Sequence, residues 1–447
     1  MDRPANDSQP KFAVVGAGPA GFYAAEALVA AHPTSAVDLI ERLPTPFGLI
    51  RSGVAPDHQT TKTIQDTFEA IARLPNLRLV GNVAVDTDIS IDELTELYDA
   101  VVLACGAPHD APLDIPGGNL PGVYGASEFV GWYNAHPDHA ALDPRLDGEA
   151  AVIIGNGNVA IDVARILSKA PSELAGSDIA DHALDRLRGS RISDVTIAGR
   201  RGPLDAKFTT IELGELGELR DVVALAEPQQ IPQSLGDGLP PRERRVKAKN
   251  LECFQAFARS DASSAARRIR FRFHARPIQV LGRDRAEAVR FERTEVRDGR
   301  VVGSGETFDV PCGLVVSAIG YRARMIGGLA LAESGDRLQN VDGRIGPGLY
   351  VVGWLKRGPS GKIGTNRADG DEIAERIRSE VVAGGKPGFV GLEKILRERG
   401  LRWTDFADWK RIEGAEIAAA RAGSPRRKFA SVREMLAHCA KVPEAVG

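Results

Sequence analysis

Twice in this chain of 447 residues a short apolar run breaks into closely spaced glycines and then into a helix-forming stretch. The first is Phe12–Val15, followed by Gly16-Ala17-Gly18-Pro19-Ala20-Gly21 and the run FYAAEALVAA. The second is Ala151–Ile154, followed by Gly155-Asn156-Gly157-Asn158-Val159-Ala160 and the run IDVARILSK. A glycine triplet alone is a weak signal, but between a strand and a helix it dictates a tight turn at the edge of a parallel sheet. The first glycine permits the turn, the second lets backbone approach a pyrophosphate, and the third position lets helix pack on strand. The helix N-terminus adds N–H donors and partial positive charge for the phosphates. The expected fold is α/β, with two Rossmann-like dinucleotide-binding domains.

The residues closing the next strand of each unit differ in charge. After the first turn, the strand pattern Val37–Glu41 ends on Glu41. Its carboxylate would accept from both ribose hydroxyls and would repel a 2′-phosphate, so an unphosphorylated adenosine such as that of FAD is expected there. After the second turn the strand arrives late, at Val195-Thr-Ile-Ala-Gly, behind a charged insertion at 169–192, and it is followed by Arg200-Arg201. Two guanidiniums match the oxygens of a 2′-phosphate. At ~1.5–3 kcal/mol for each charged hydrogen bond, less desolvation, they would favour NADPH over NADH by ~30- to 1000-fold. A solvated arginine pair at a strand end is the plain alternative.

The buried runs Val101–Gly106 and Leu314–Gly320 each end on glycine, and Leu349–Gly353 precedes Trp354 and a glycine-rich turn opening a helix near Gly361. This order suggests an NADPH-binding domain at 109–322 inserted into an FAD-binding domain made of 1–108 and 323–447. Period-two patterning over 269–310, with a turn at Asp298–Gly299, suggests a small antiparallel β meander, and 391–447 reads as short covering helices. Glycine supplies 48 of 447 residues, about 11% against a usual ~7%, much of it in such turns.

Lys+Arg 57 against Asp+Glu 60 leaves a net charge of −3, so no global field attracts nucleic acid or anionic lipid. No run approaches the ~18 apolar residues of a membrane span, and the N-terminus MDRPANDSQP has no apolar signal core, so a cytoplasmic protein is expected. The cysteines Cys105, Cys253, Cys312 and Cys439 lie 148, 59 and 127 residues apart, unlike a redox dithiol, a zinc site or an iron–sulfur cluster. They read as buried free thiols, and no metal site is expected.

The chain resembles the adrenodoxin-reductase-like ferredoxin–NADP⁺ reductases, particularly their bacterial members. The stretches that carry the resemblance are GAGPAGFYAAEAL, ERLPTPFGLIRSGVAPDH, GNGNVAIDVARIL, GRRGPLDAKFTTIELGEL and YVVGWLKRGPSGKIGTN, in family order. The resemblance implies that Ala20, Glu41, Leu49 and Val85 contact FAD. It implies that Asn156, Gly157, Asn158, Val159, Arg200, Arg201 and Glu212 line the NADPH site. Trp354, Gly361, Lys362 and Ile363 would lie beside the flavin ring, Gly361 also touching the nicotinamide. Placed at a helix start, Gly361 would let backbone N–H groups meet the electron-rich flavin pyrimidine. Trp354 offers an aromatic face, or is simply a core tryptophan.

The resemblance also implies a hydrogen-bond relay near the flavin, for which His58 and Asp162 are the candidates; their plain readings are a loop histidine and an Asp near a helix N-terminus. The implied activity passes hydride from NADPH to FAD and then single electrons to a separate, acidic ferredoxin-type carrier, from a protein expected to be a monomer. Docking candidates are Arg242, Arg244, Arg245, Lys247 and Lys249, and the alternating Arg268, Arg270 and Arg272; a solvated face is the default for such runs. A flavoprotein disulfide reductase would need a cysteine pair. An NADPH-oxidising synthase subunit and an FAD/NADP sensor without turnover are the remaining alternatives.

Overall fold

In the computed structural model, residues 9–236, 238–263 and 265–440 are described. They form two compact units. One holds the chain up to His109, the short piece Asn134–Pro137, and the chain from Tyr321 onward; the other holds Asp110–Tyr133 and Asp138–Gly320. Asn134 belongs with the first unit through its side-chain oxygen, which accepts from Lys428 Nζ at 2.8 Å.

In the first unit the strands lie side by side in the order Arg344–Gly346, Leu349–Val351, Ala100–Leu103, Lys11–Val15, Ala36–Glu41, Leu77–Gly81. All neighbours are parallel except the edge strand Arg344–Gly346. Parallel sheets are covered on both faces, which is why these strands are continuous apolar runs. Alternate residues serve different cores: Phe12 and Val14 face a cluster with Phe22, Phe47, Phe68 and Trp409, while Ala13 and Val15 face one with Ile40, Leu94 and Leu396. The helix Pro19–Ala31 packs closely on the helix Thr365–Glu380, since a Cβ on Gly370 would stand 2.8 Å from the Tyr23 carbonyl.

The second unit has an all-parallel sheet in the order Val123–Gly125, Leu314–Ser317, Ala150–Ile154, Asp194–Ala198, Arg267–Arg272, Val222–Ala226. An antiparallel meander follows: Ala275–Leu281, Ala288–Arg297 and Arg300–Pro311, turning at Asp298–Gly299. The insertion at 169–192 contains the helices Pro171–Leu174 and Asp181–Arg188.

Three expectations need correction. Arg267–Arg272 pairs in the parallel sheet rather than the meander; its alternation, with Ile269 and Phe271 buried, marks a strand covered on one side but not the direction of its neighbours. The helix expected to open at Gly361 begins at Thr365, because Gly361 has φ 87° and the chain is still turning there. Of the four free cysteines, Cys312 and Cys439 are buried, but Cys253 is half-buried and Cys105 exposed. Cys105 sits just past the end of its strand, and a residue at a strand's edge is not enclosed by the sheet. No helix of the described residues is long and apolar enough to cross a membrane.

Candidate functional site

Each unit carries its glycine turn at the C-terminal edge of its sheet, after the strand from which the chain order departs in both directions. Gly16 has φ 109° and a Cβ there would stand 2.7 Å from Ala104 O; Gly155 has φ 141° and a Cβ would stand 2.2 Å from Ala318 O. The two turns are therefore built alike against the next strand's end. The second glycines face outward instead: a Cβ on Gly18 would meet only Gly48 Cα at 3.9 Å, and one on Gly157 nothing within 4 Å. Both positions leave room for a pyrophosphate against the helix N-terminus. At the third position, a Cβ on Gly21 would lie 1.8 Å from Gly16 O, whereas the second unit accommodates the buried Ala160.

In the first unit, Glu41 closes its strand beside the turn, Oε2 accepting from Ala17 N at 2.9 Å and Oε1 from Leu43 N at 3.1 Å. With the Arg42 N–H also directed at it, the carboxylate keeps one of its four lone-pair positions for a ribose hydroxyl. Burial lifts this carboxyl above the usual range, against the pull of those backbone N–H groups. Phe47 N donates to Ala17 O at 2.7 Å, bringing Leu49, first residue of the one-turn helix Leu49–Ser52 and half exposed, beside the same turn. Ala20 lies against Gly353, the residue before Trp354. Trp354 stacks on Tyr321 with 5.6 Å between centroids and donates its indole N–H to Ser360 O at 3.0 Å. That bond fixes the loop in which Gly361 and Lys362 are exposed and Ile363 half-buried. Val85 packs on the Ile40–Leu94 core from a nearby turn.

In the second unit, Lys207 N donates to Asn156 O at 2.8 Å, and Thr209 N donates to Asn158 Oδ1 at 2.8 Å. The turn is thereby zipped to Lys207–Thr209, from which the helix Thr210–Glu215 carries Glu212. The Asn158 side chain is engaged in holding this zipper, and Val159 is half-buried in the first helical turn. Asn156 Oδ1 and Glu212 Oε2 are buried acceptors with no donor among the described residues. Buried acceptors are ordinarily satisfied, and the hydroxyls and amides of a dinucleotide are suitable donors. Arg200 and Arg201 follow the adjacent strand, both exposed; Arg201 lies 3.9 Å from Asp205, while Arg200 has no ion-pair partner among the described residues.

His58, half-buried in the first unit, begins the short helix Gln59–Lys62. Asp162, in the second, pairs with the buried Arg165 one turn along its helix at 2.7 Å. Thr209 and Tyr321 were not singled out from sequence; Thr209 lies within the quoted KFTT stretch, but Tyr321 has no local signal. Among the docking candidates, Arg242, Arg244, Arg245 and Lys249 are exposed on the helix Pro241–Arg259 and Lys247 pairs with Glu243 at 2.9 Å. By contrast, Arg270 is bound to Asp194 at 2.9 Å and Arg272 to Glu227, so that second cluster is largely neutralised.

Residues 10–198 match the family described as pyridine nucleotide-disulphide oxidoreductase, although all four thiols are free and burial pushes that of Cys312 up to about 12. The chain is 42% identical to the NADPH-ferredoxin reductase FprA of Mycobacterium tuberculosis, over 95% of this chain and 98% of that one. It is 39% identical to the mitochondrial NADPH:adrenodoxin oxidoreductase of Homo sapiens, over 96% and 92%. The solved structure of Mycobacterium tuberculosis FprA in complex with NADPH superposes with a TM-score of 0.89 at 40% identity, covering 96% of this chain and 99% of that one. By fold, by turn geometry and by likeness along nearly its whole length, the chain belongs to the family of the NADPH-ferredoxin reductases and NADPH:adrenodoxin oxidoreductases.

Proposed function

We propose that this chain is an FAD-dependent ferredoxin–NADP⁺ reductase, with an FAD-binding domain at 1–108 and 323–447 and an NADPH-binding domain at 109–322. The observation that carries the reading is the opposite charge beside two similarly built turns: Glu41 in one unit, Arg200 and Arg201 in the other. Bound FAD supplies two-electron chemistry toward nicotinamide and one-electron chemistry toward an iron–sulfur carrier. Gly16, Gly18 and Gly21 seat its pyrophosphate, Glu41 takes the ribose, and Ala20, Leu49 and Val85 border it. Trp354, Gly361, Lys362 and Ile363 line the reacting ring. Gly155, Asn156, Gly157, Asn158 and Val159 seat the NADPH pyrophosphate, Glu212 accepts from the dinucleotide, and the arginine pair selects the 2′-phosphate. His58 and Asp162 adjust orientation and protonation near the reacting ring, since hydride transfer itself needs no acid or base from the protein.

The carrier is a small acidic ferredoxin recruited to the basic helix Pro241–Arg259, and the enzyme acts as a cytoplasmic monomer. Purified protein should be yellow, its absorbance near about 450 nm should bleach with NADPH much faster than with NADH, and it should reduce cytochrome c only with ferredoxin present. Binding without bleaching would instead make it a nucleotide sensor. Arg244→Glu with Arg245→Glu should slow ferredoxin reduction, most at low salt, and leave ferricyanide reduction intact. Equal loss in both assays would remove the docking role.

A further inference from the structure

Arg200 and Arg201 lie beyond the end of their strand, outside any helix or strand of their own. A specificity site needs its donors held in place, and here the meander holds them. Arg200 O accepts from Thr294 Oγ1 at 2.8 Å, Arg201 O accepts from His274 N at 3.2 Å, and His274 O accepts from Thr294 N at 3.0 Å. Thr294 is thus bonded to one arginine directly and to the other through a single residue. Its burial is out of step with its strand. Val289 and Phe291 face inward, so strict alternation would turn Arg293 inward next; the pairing with Arg300–Pro311 slips between Glu292 and Thr294, and Thr294 is buried instead, 4% exposed. The extra residues of this irregularity lie in the facing strand, between Gly303 and Thr307, and beside them the Thr294 hydroxyl is aimed at the Arg200 carbonyl.

Resting on the assignment of Arg200 and Arg201 to the 2′-phosphate, we propose that Thr294 is a positioning residue that sets the preference for the phosphorylated dinucleotide. It touches no nucleotide; it fixes the main chain from which the Arg200 guanidinium projects. Thr294→Val keeps the shape and deletes the donor, while Thr294→Ser keeps the donor.

The test is calorimetric titration of the holoenzyme with 2′,5′-ADP and with 5′-AMP, which differ only in the 2′-phosphate. Thr294→Val should weaken 2′,5′-ADP about two- to tenfold, the range one hydrogen bond covers, and leave 5′-AMP unchanged. Thr294→Ser should restore the parent value, and KM for NADPH should rise in Thr294→Val without a matching fall in kcat. Equal weakening of both probes would reduce Thr294 to a structural residue and overturn the inference. Arg200→Ala separates the two layers. If it abolishes the preference while Thr294→Val does not alter it, the inference fails and the arginine assignment stands; if it leaves the preference intact, the assignment fails and the inference with it.

Discussion

At Gly16 a methyl group would meet Ala104 O at 2.7 Å on a backbone with φ 109°, whereas at Gly18, two residues on, it would meet nothing nearer than 3.9 Å. One glycine is required by the protein and the other by what the protein binds. Gly16→Ala should therefore destabilise even the flavin-free protein, by ~1–3 kcal/mol of backbone strain plus the clash, or roughly 3–10 °C in Tm. Gly18→Ala should leave the flavin-free Tm unchanged and weaken flavin retention about tenfold or more, since the methyl stands where the phosphates lie. Thermal scans of both apoproteins, with flavin-to-protein ratios after dialysis, check the contrast; a Gly18→Ala apoprotein as unstable as Gly16→Ala would remove it. These residues are legible in sequence because strand, turn and helix are consecutive. Thr294 is not, because its part depends on a bulge and on a carbonyl 94 residues away.

The helix Phe406–Ala418 is visible in the sequence as a covering element, but not what it holds. Glu416, fully buried, takes both guanidinium nitrogens of Arg51, one at 2.9 Å, and the Phe429 N–H at 2.8 Å. Arg51 belongs to the one-turn helix that begins at Leu49, so a C-terminal helix anchors a segment beside the first glycine turn. Charge pairing across 365 residues leaves no local pattern to read. The strand Arg267–Arg272 teaches the same lesson: its two-residue period is local, its parallel partners are not. Glu416→Ala should cost about 3–5 kcal/mol, because Arg51 is left buried without its carboxylate. Glu375→Ala, which breaks an exposed pair with Arg378, should leave the urea midpoint unmoved. Equal midpoints for the two variants would show that the Glu416 pair adds nothing to the fold.

Across the whole molecule the nested order of units follows from strands that end on glycine, whereas the pH response depends on buried carboxyls that only tertiary packing creates. Asp38 lies within a strand of the first unit, 2% exposed, and burial lifts its carboxyl to about 6 although Arg78 and the Tyr98 hydroxyl, 2.9 Å away, pull it down. The second unit has a counterpart in Asp110, also lifted to about 6 by burial, even though it accepts from Ser127 N at 2.7 Å. A carboxyl whose folded value lies above its unfolded one binds protons more readily in the folded state. Its stabilising contribution is complete below the ordinary carboxyl range and is lost as pH rises through about 6. For Asp38 the loss amounts to as much as ~3 kcal/mol between acid and neutral pH. Asp38→Asn keeps an acceptor for Tyr98 and removes the titration. It should therefore raise the urea midpoint at about pH 7.5 and converge with the parent toward about pH 4. A variant that is less stable than the parent at neutral pH would mean that the ion pair with Arg78, at 3.2 Å, outweighs the burial of the charge.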